Sequence, residues 1–172
     1  MIPVPVVPER STKSAAVKTH RSDMESRVQL AVELFESGYN CAQSVFAAYA
    51  DLFGMDKEMA LKFVSPMGAG IGRMREVCGT VSGMSLLLGL KEGNADATDE
   101  EAKKRIYEKT RAMADRFKEE NGSIICRELL GIVGREQSAA PSERTKQYYA
   151  SRPCSRLVAS AAQIVEDMLL SE

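Results

Sequence analysis

The segment from Cys78 to Leu90 carries no charged residue, which limits the folds open to this chain. A helix that is apolar on every side has to be buried, so the segment predicts a central helix inside a bundle. Gly79 and Gly83 lie on one face of that helix, where the lack of a side chain predicts close approach by a neighbouring helix. Glycine within a helix costs about 0.5–1 kcal/mol relative to alanine, and tight packing has to offset that cost.

The rest of the sequence favours helices too. The 172 residues include six prolines and no tryptophan, and 44% of them are apolar, enough for a proper core. Ala, Leu, Met, Glu and Lys are abundant, as is typical of helical domains. We therefore predict an all-α, single-domain bundle of six to eight helices over residues 23–172. Residues 1–22 mix prolines with polar residues and predict a flexible N-terminal extension.

Local signals place several boundaries. The apolar spacing predicts a first helix beginning near Asp23, and Asn40 is a candidate N-cap for the second. The glycine-rich stretch 65–79 predicts an ordered turn rather than a helix. The composition of residues 135–152 predicts that they are the least ordered internal stretch. Pro153 is suited to opening the last helix.

Composition also narrows the partners and the compartment. A formal net charge of -1 argues against broad nucleic-acid binding, which needs a concentrated basic surface. No apolar run approaches the roughly 20 residues that cross a bilayer, and the amino terminus lacks the pattern of a secretory signal. These features predict a cytoplasmic protein without membrane contact. A glycine-containing apolar helix also predicts a homodimer.

The four cysteines are the candidate functional residues. Each one falls in the first turn of a different predicted helix, where unpaired N–H groups and the helix dipole stabilise a thiolate. The pKa of a thiol falls below about 8.5 in such positions, and the thiolate is the form that attacks disulfides and binds metals. The candidate catalytic and candidate metal-binding residues are the same set: Cys41, Cys78, Cys126 and Cys154.

Three interpretations of these cysteines stay open. The first is a thiol oxidoreductase with a redox partner protein, in which Cys41 and Cys78 form the reactive pair. The second is a metal-binding or electron-transfer module holding zinc or an iron–sulfur cluster. The third is a helical interaction module whose cysteines only pack. No CxxC pair is present, so neither a thioredoxin-type motif nor a zinc ribbon is available.

The glycine-rich stretch 68–72 invites comparison with phosphate-binding loops. No strand precedes it and no terminal Gly-Lys-Ser/Thr follows, so no nucleotide is expected. The stretch instead predicts a tight turn that brings backbone N–H groups, with Arg73 and Arg75, near Cys78. Such a group of donors would favour a thiolate or an anionic substrate. It supplies the candidate cofactor-binding residues: Gly70, Gly72 and Arg73.

Four blocks of the sequence resemble the C_GCAxxG_C_C family of redox-active proteins. In chain order they are GYNCAQSVF, MGAGIGRMREVCGTVSG, GSIICRELLG and RPCSRLV. The resemblance runs from about Met24 to the carboxyl end and implies that the four cysteines are the family's characteristic ones. At residues 77–83 the GCAxxG element reads VCGTVSG, so the glycine follows the cysteine and threonine replaces alanine.

The resemblance also bears on cofactors. A related domain occurs in split-Soret cytochromes, which carry haem and an iron–sulfur cluster. This chain has no CxxCH motif, and His20, in the predicted extension, is its single histidine. Covalent haem is therefore not expected, whereas a cysteine-ligated metal stays open. The lack of an ordered histidine also argues against a Ser–His–Asp or Cys–His hydrolase.

Overall fold

The computed structural model describes residues 25–134 and 136–171. Over these residues the chain forms eight α-helices and no β-strand, which confirms the predicted all-α bundle. The predicted extension 1–22 and Met24 lie outside the described residues. The helices are α1 (Val28–Glu36), α2 (Cys41–Ala47), α3 (Lys57–Val64), α4 (Gly79–Glu92), α5 (Glu100–Asn121), α6 (Cys126–Leu130), α7 (Lys146–Ser151) and α8 (Cys154–Ile164).

Helix α4 is the uncharged segment expected at the centre, and it packs against α2, α5 and α8. The interface with α2 depends on glycine, because a Cβ atom at Gly83 would lie 3.0 Å from the carbonyl oxygen of Ala42. The predicted close approach at Gly79 and Gly83 is thus confirmed. The helix is not enclosed on every side, since Gly89 is exposed.

The start of α1 differs from the prediction. The helix begins at Val28, whereas the apolar spacing predicted a start near Asp23. The carboxylate of Glu166, after α8, accepts the backbone N–H of Arg27 at 2.6 Å and the hydroxyl of Tyr49 at 2.9 Å. The segment before Val28 is thereby held by a tertiary contact that apolar spacing does not report.

The amino-terminal caps of α2 and α8 are formed by the residues that the sequence predicted for these helix starts. Asn40 caps α2 in a reciprocal box with Gln43, in which each side chain accepts the other residue's backbone N–H at 3.0 Å. Pro153 is the N-cap of α8, so Cys154 is its first residue. A capping box satisfies two of the N–H groups that a helix start leaves unpaired. The first turn of α2 is therefore rigidly held.

The segment 136–152 is more ordered than its composition suggested. It contains α7, whose N-cap Thr145 accepts the backbone N–H of Tyr148 at 3.1 Å. The segment is fastened to the glycine-rich turn, because the guanidinium of Arg73 donates to the Ser138 carbonyl and to the Ser142 hydroxyl, each at 3.0 Å. These hydrogen bonds hold residues 136–152 against the glycine-rich turn.

Candidate functional site

All four cysteines lie at helix starts and line one cavity of about 50 Å³. Three of them are the first residues of α2, α6 and α8, and Cys78 is the N-cap of α4. This confirms the location predicted from sequence. All four are free thiols. We call this space the cysteine cavity; its other lining residues are Phe35, Asn40, Ala69, Arg75, Thr80, Leu129, Leu130, Arg144, Tyr148, Arg152 and Leu157.

Cys41 has the most acidic thiol of the four. The Cys78 thiol donates a hydrogen bond to it, and the backbone N–H groups of Ala69, Ala42 and Cys41 itself do the same. Together these donors outweigh the effect of burial and lower the pKa of Cys41 to about 6. At pH 7 the thiolate would then outnumber the thiol by about ten to one. Of the four thiols, Cys41 is thus the one that favours the thiolate form at neutral pH.

Cys78 is the protonated partner. Its donation to Cys41, its burial and the negative charge on Cys41 all raise its pKa well above the ordinary value. The Thr80 hydroxyl lies 3.1 Å from the Cys78 sulfur and acts in the opposite direction. The two thiols therefore hold one proton between them, and the proton resides on Cys78.

Gly79 makes room for this pair. A Cβ atom at this position would lie 2.5 Å from the Cys41 sulfur and 3.1 Å from both the Ala42 nitrogen and the Met67 oxygen. Any larger residue would collide with the thiol or with backbone. The order Cys78-Gly79, in which the glycine follows the cysteine, thus has a direct structural reason in this chain.

Cys126 is placed by a short extended pairing with the segment before α4. The Cys78 N–H donates to the Ile124 carbonyl at 2.8 Å, and the Cys126 N–H donates to the Glu76 carbonyl at 2.6 Å. The Cys126 sulfur accepts a bond of 3.9 Å from the guanidinium of Arg75. Burial dominates nonetheless and raises the pKa of Cys126. The Cys126 thiol therefore shares the cavity with Cys41 and Cys78 but favours the neutral form.

Cys154 is the fourth thiol and is partly exposed. Its pKa is raised to about 11, first by burial and then by the negative charge of Cys41. Position at a helix start does not by itself acidify a thiol, since Cys154 has the same helix position as Cys41 but the opposite shift. The extra donors around Cys41 make the difference.

The glycine-rich turn supplies one of those donors through an uncommon backbone path. Five consecutive residues have left-handed φ angles: Ala69 (54°), Gly70 (71°), Ile71 (59°), Gly72 (53°) and Arg73 (69°). For a residue with a side chain this conformation costs roughly 1–2 kcal/mol. The turn closes through hydrogen bonds such as Gly72 N–H to the Pro66 carbonyl at 2.7 Å. Its curl points the Ala69 N–H at Cys41.

The three candidate cofactor-binding residues of this turn lie outside the cavity lining. A Cβ atom at Gly70 would lie 2.5 Å from the Glu76 nitrogen, whereas one at Gly72 would meet nothing within 4 Å. Arg73 pairs with Glu136 at 3.2 Å. The residues of the turn that reach the cavity are Ala69 and Arg75. Cofactor binding by Gly70, Gly72 and Arg73 stays a prediction, and the structure gives them a role in shaping the turn.

Sequence reasoning missed one wall of the cavity. Arg144, Tyr148 and Arg152 all line it, and all come from the segment that was expected to be poorly ordered. The Arg144 guanidinium stacks on Phe35 and on Tyr148, at 4.7 Å from each ring centre. The signal available in the sequence was the mixture of arginine and tyrosine in ERTKQYYASR, which suits cation–π contacts.

The geometry does not form a ready-made metal centre. Across residues 25–134 and 136–171, no three His, Cys, Asp or Glu side chains group closely enough to hold a metal ion. A tetrahedral thiolate site needs every sulfur about 2.3 Å from one ion. The cysteines share a cavity without meeting that condition, so zinc or an iron–sulfur cluster would require them to move closer.

Comparison with known proteins supports the importance of the cysteines. A family model with the description "Putative redox-active protein (C_GCAxxG_C_C)" matches residues 39–168, a range that contains all four. No curated protein and no solved structure matches the chain. Within the described part of the chain, none of the helices has the length and apolar character needed to span a bilayer.

Proposed function

Since this chain belongs to the C_GCAxxG_C_C family, we propose that it is a cytosolic thiol–disulfide redox protein whose reactive pair is Cys41 and Cys78. The observation that carries the proposal is that both thiols lie at helix starts on the wall of one cavity, where Cys78 is the first cause of the lowered pKa of Cys41. One sulfur is stabilised as a thiolate and its neighbour holds a proton. A dithiol that reduces a disulfide needs both forms.

The reaction balances with a disulfide substrate as the oxidant. The Cys41 thiolate attacks one sulfur of the substrate, which forms a mixed disulfide and releases the other half as a thiolate that takes a proton. Cys78 then loses its proton and attacks the Cys41 sulfur, which forms the Cys41–Cys78 disulfide and releases the second half. Two electrons pass from the protein to the substrate, which leaves as two thiols.

The effect of Cys41 on the pKa of Cys78 sets the order of the two reaction steps. Two of the effects that raise the pKa of Cys78 come from Cys41, namely its hydrogen bond and its negative charge. Both vanish when Cys41 enters the mixed disulfide. The Thr80 contact then remains to stabilise the Cys78 thiolate. Cys78 is thus activated when its attack is required.

The remaining thiols fit supporting roles. Cys126 and Cys154 line the same cavity, so they are placed to take over the disulfide from the reactive pair. Both have raised pKa values, which makes them slow attackers at neutral pH. The proposal therefore assigns them to later steps.

The pH dependence of alkylation tests the assignment of the nucleophile. A pKa of about 6 predicts that Cys41 reacts with iodoacetamide at a nearly constant rate above pH 7. Below pH 6 the thiolate is protonated, so the rate should fall about tenfold for each further pH unit. Mass spectrometry of peptides from protein labelled for a short time at each pH would give the midpoint for each cysteine.

Cys78→Ala is the matched variant for that titration. Removal of the donor thiol should move the Cys41 midpoint upward, toward the value of about 8.5 of an ordinary thiol. Cys154 provides an internal reference, because its pKa of about 11 predicts little labelling at neutral pH. A wild-type Cys41 midpoint near 8.5, or one that Cys78→Ala leaves unchanged, would contradict the proposed pair.

A metal-binding or electron-transfer module is the second candidate, and the convergence of all four cysteines on one cavity favours it. Anaerobically purified protein distinguishes the candidates by its visible spectrum and metal content. The redox proposal predicts colourless, metal-free protein with four titratable thiols. Colour with iron and sulfide, or stoichiometric zinc, would select the metal centre instead. Metal-free protein with inert thiols would select the helical interaction module.

A further inference from the structure

Two buried arginine nitrogens at the cysteine cavity have no hydrogen-bond partner. They are Nε of Arg75 and Nη1 of Arg144. Arg75 is only 3% exposed, and its other two nitrogens are engaged, Nη1 with the Cys126 sulfur and Nη2 with Glu136 at 3.7 Å. A buried charged donor without a partner is unfavourable, because it has lost its hydrogen bonds to water. Such donors point to a ligand that accepts from them.

The charge of the cavity defines the sign of that ligand. Three arginines line it, Arg75, Arg144 and Arg152, and no aspartate or glutamate does. The Cys41 thiolate supplies a single opposing charge, and Glu136 reaches Arg75 from outside the lining. A low-dielectric pocket with excess positive charge favours an anion over a neutral or cationic molecule.

The free nitrogen of Arg144 belongs to a fixed group. Its guanidinium is stacked on Phe35 and Tyr148, and its Nη2 donates to the Tyr39 carbonyl at 3.3 Å. A donor that is already immobilised loses little entropy when it binds a ligand. Arg144 is therefore preorganised to receive an oxygen acceptor.

The size and the remaining walls of the cavity narrow the ligand further. A volume of about 50 Å³ admits roughly three to five water-sized atoms, which suits one carboxylate group and a short carbon chain. The apolar residues Leu129, Leu130 and Leu157 also line the cavity and would contact the methylene groups of the ligand. The acceptor oxygens and the short chain would then lie in the same cavity as the Cys41 sulfur.

We propose that the cysteine cavity selects small disulfides bearing a carboxylate, which Arg75 and Arg144 bind while the disulfide meets Cys41. This inference rests on the thiol exchange proposed above and names its substrate class. The substrate disulfide takes two electrons from Cys41 and Cys78 and leaves as two carboxylate-bearing thiols, as in the balanced reaction already given.

A series of disulfides with the same two-methylene spacer on each sulfur and a different charge at its end tests the proposal. The probes are 3,3′-dithiodipropionate (anionic), 2-hydroxyethyl disulfide (neutral) and cystamine (cationic), each mixed with reduced protein under anaerobic conditions. Charge-assisted hydrogen bonds of the usual strength predict that the anionic probe oxidises the protein at least about tenfold faster than the neutral one. The cationic probe should be the slowest.

Three arginine variants separate charge recognition from general damage. Arg144→Gln should abolish most of the preference for the anionic probe, measured within the variant as the ratio of its rates with the anionic and the neutral probe. Arg75→Lys keeps the charge but loses the free Nε, and it should also weaken the preference for the anionic probe. It replaces Arg144→Gln as the test if circular dichroism shows that Arg144→Gln folds poorly. Arg105→Met, on the exposed face of α5 and far from the cavity lining, should behave as wild type.

A ligand that cannot react distinguishes this inference from the proposed function. Suberate replaces the two sulfurs of 3,3′-dithiodipropionate with carbons, and calorimetry should show that it binds wild type but not Arg144→Gln. If no disulfide oxidises the protein while suberate binds in this way, the site stands and the redox proposal fails. Equal rates with all three probes and no suberate binding would overturn the inference and leave the redox proposal intact.

Discussion

Replacing Cys78 with serine should trap the substrate on Cys41 as a mixed disulfide and reduce disulfide turnover by a hundredfold or more, on the order of what loss of an intramolecular attack entails. In the wild-type protein the second thiol lines the same cavity as Cys41 and can attack without leaving it. In the variant, release has to wait for an external thiol in a bimolecular step. Intact-mass measurement after exposure to 3,3′-dithiodipropionate would show one added half of the disulfide.

Variants of the other thiols provide the comparison. Cys41→Ser should form no adduct, because the nucleophile is gone. Cys154→Ser should turn over at close to the wild-type rate, since a thiol with a pKa of about 11 contributes little attack at neutral pH. Turnover of Cys78→Ser at the wild-type rate would mean that Cys126 or Cys154 resolves the mixed disulfide, and the assignment of Cys78 would be wrong.

The second large effect is expected from substitution of Gly79, which should change both the stability of the fold and the pKa of Cys41. Gly79→Ala places a Cβ atom 2.5 Å from the Cys41 sulfur, so the thiol has to rotate away or the two helices have to separate. Overpacking of this kind destabilises a fold by about 1–3 kcal/mol. Displacement of the sulfur from its donors should also raise the pKa of Cys41 and slow its alkylation at pH 7. Urea unfolding and alkylation rates measure the two effects.

Gly89→Ala is a matched control in the same helix. A Cβ atom at Gly89 would meet nothing within 4 Å, and alanine is the better helix former. This variant should therefore stabilise the protein by about 0.5–1 kcal/mol and leave Cys41 unchanged. Equal behaviour of the two alanine variants would show that Gly79 does not make room for the thiol.

The parts of this structure that depend on local sequence could be predicted. The uncharged run that became α4, the Asn40 cap and the positions of the cysteines at helix starts all follow from periodicity and capping within a few residues. The choice of Cys41 and Cys78 as the reactive pair stays a prediction; it followed from the glycine-rich turn, which was expected to give Cys78 access and hydrogen-bond donors.

The parts that depend on distant contacts could not. The positive wall formed by Arg144 and Arg152 requires that Arg73 bind residues 136–152 and that Arg144 stack on Phe35. The arginines and tyrosines of ERTKQYYASR suit cation–π contacts but do not identify these distant partners. The start of α1 is likewise set by Glu166, more than a hundred residues away. The direction of each pKa shift was inaccessible for the same reason, since helix position alone assigned Cys154 and Cys41 alike.

The left-handed turn at residues 69–73 places backbone strain next to the cysteine cavity. Three of its residues carry side chains that disfavour this handedness, Ala69, Ile71 and Arg73, which amounts to roughly 3–6 kcal/mol held in place by the surroundings. That is a sizeable part of the 5–15 kcal/mol by which an ordinary domain is stable. If these residues were released to the right-handed form, their conformational free energy would fall, and the contacts of Arg73 with Ser138 and Ser142 oppose that change. In that form the Ala69 amide would leave the Cys41 sulfur, so the acidity of the nucleophile is tied to the handedness of a five-residue stretch of backbone.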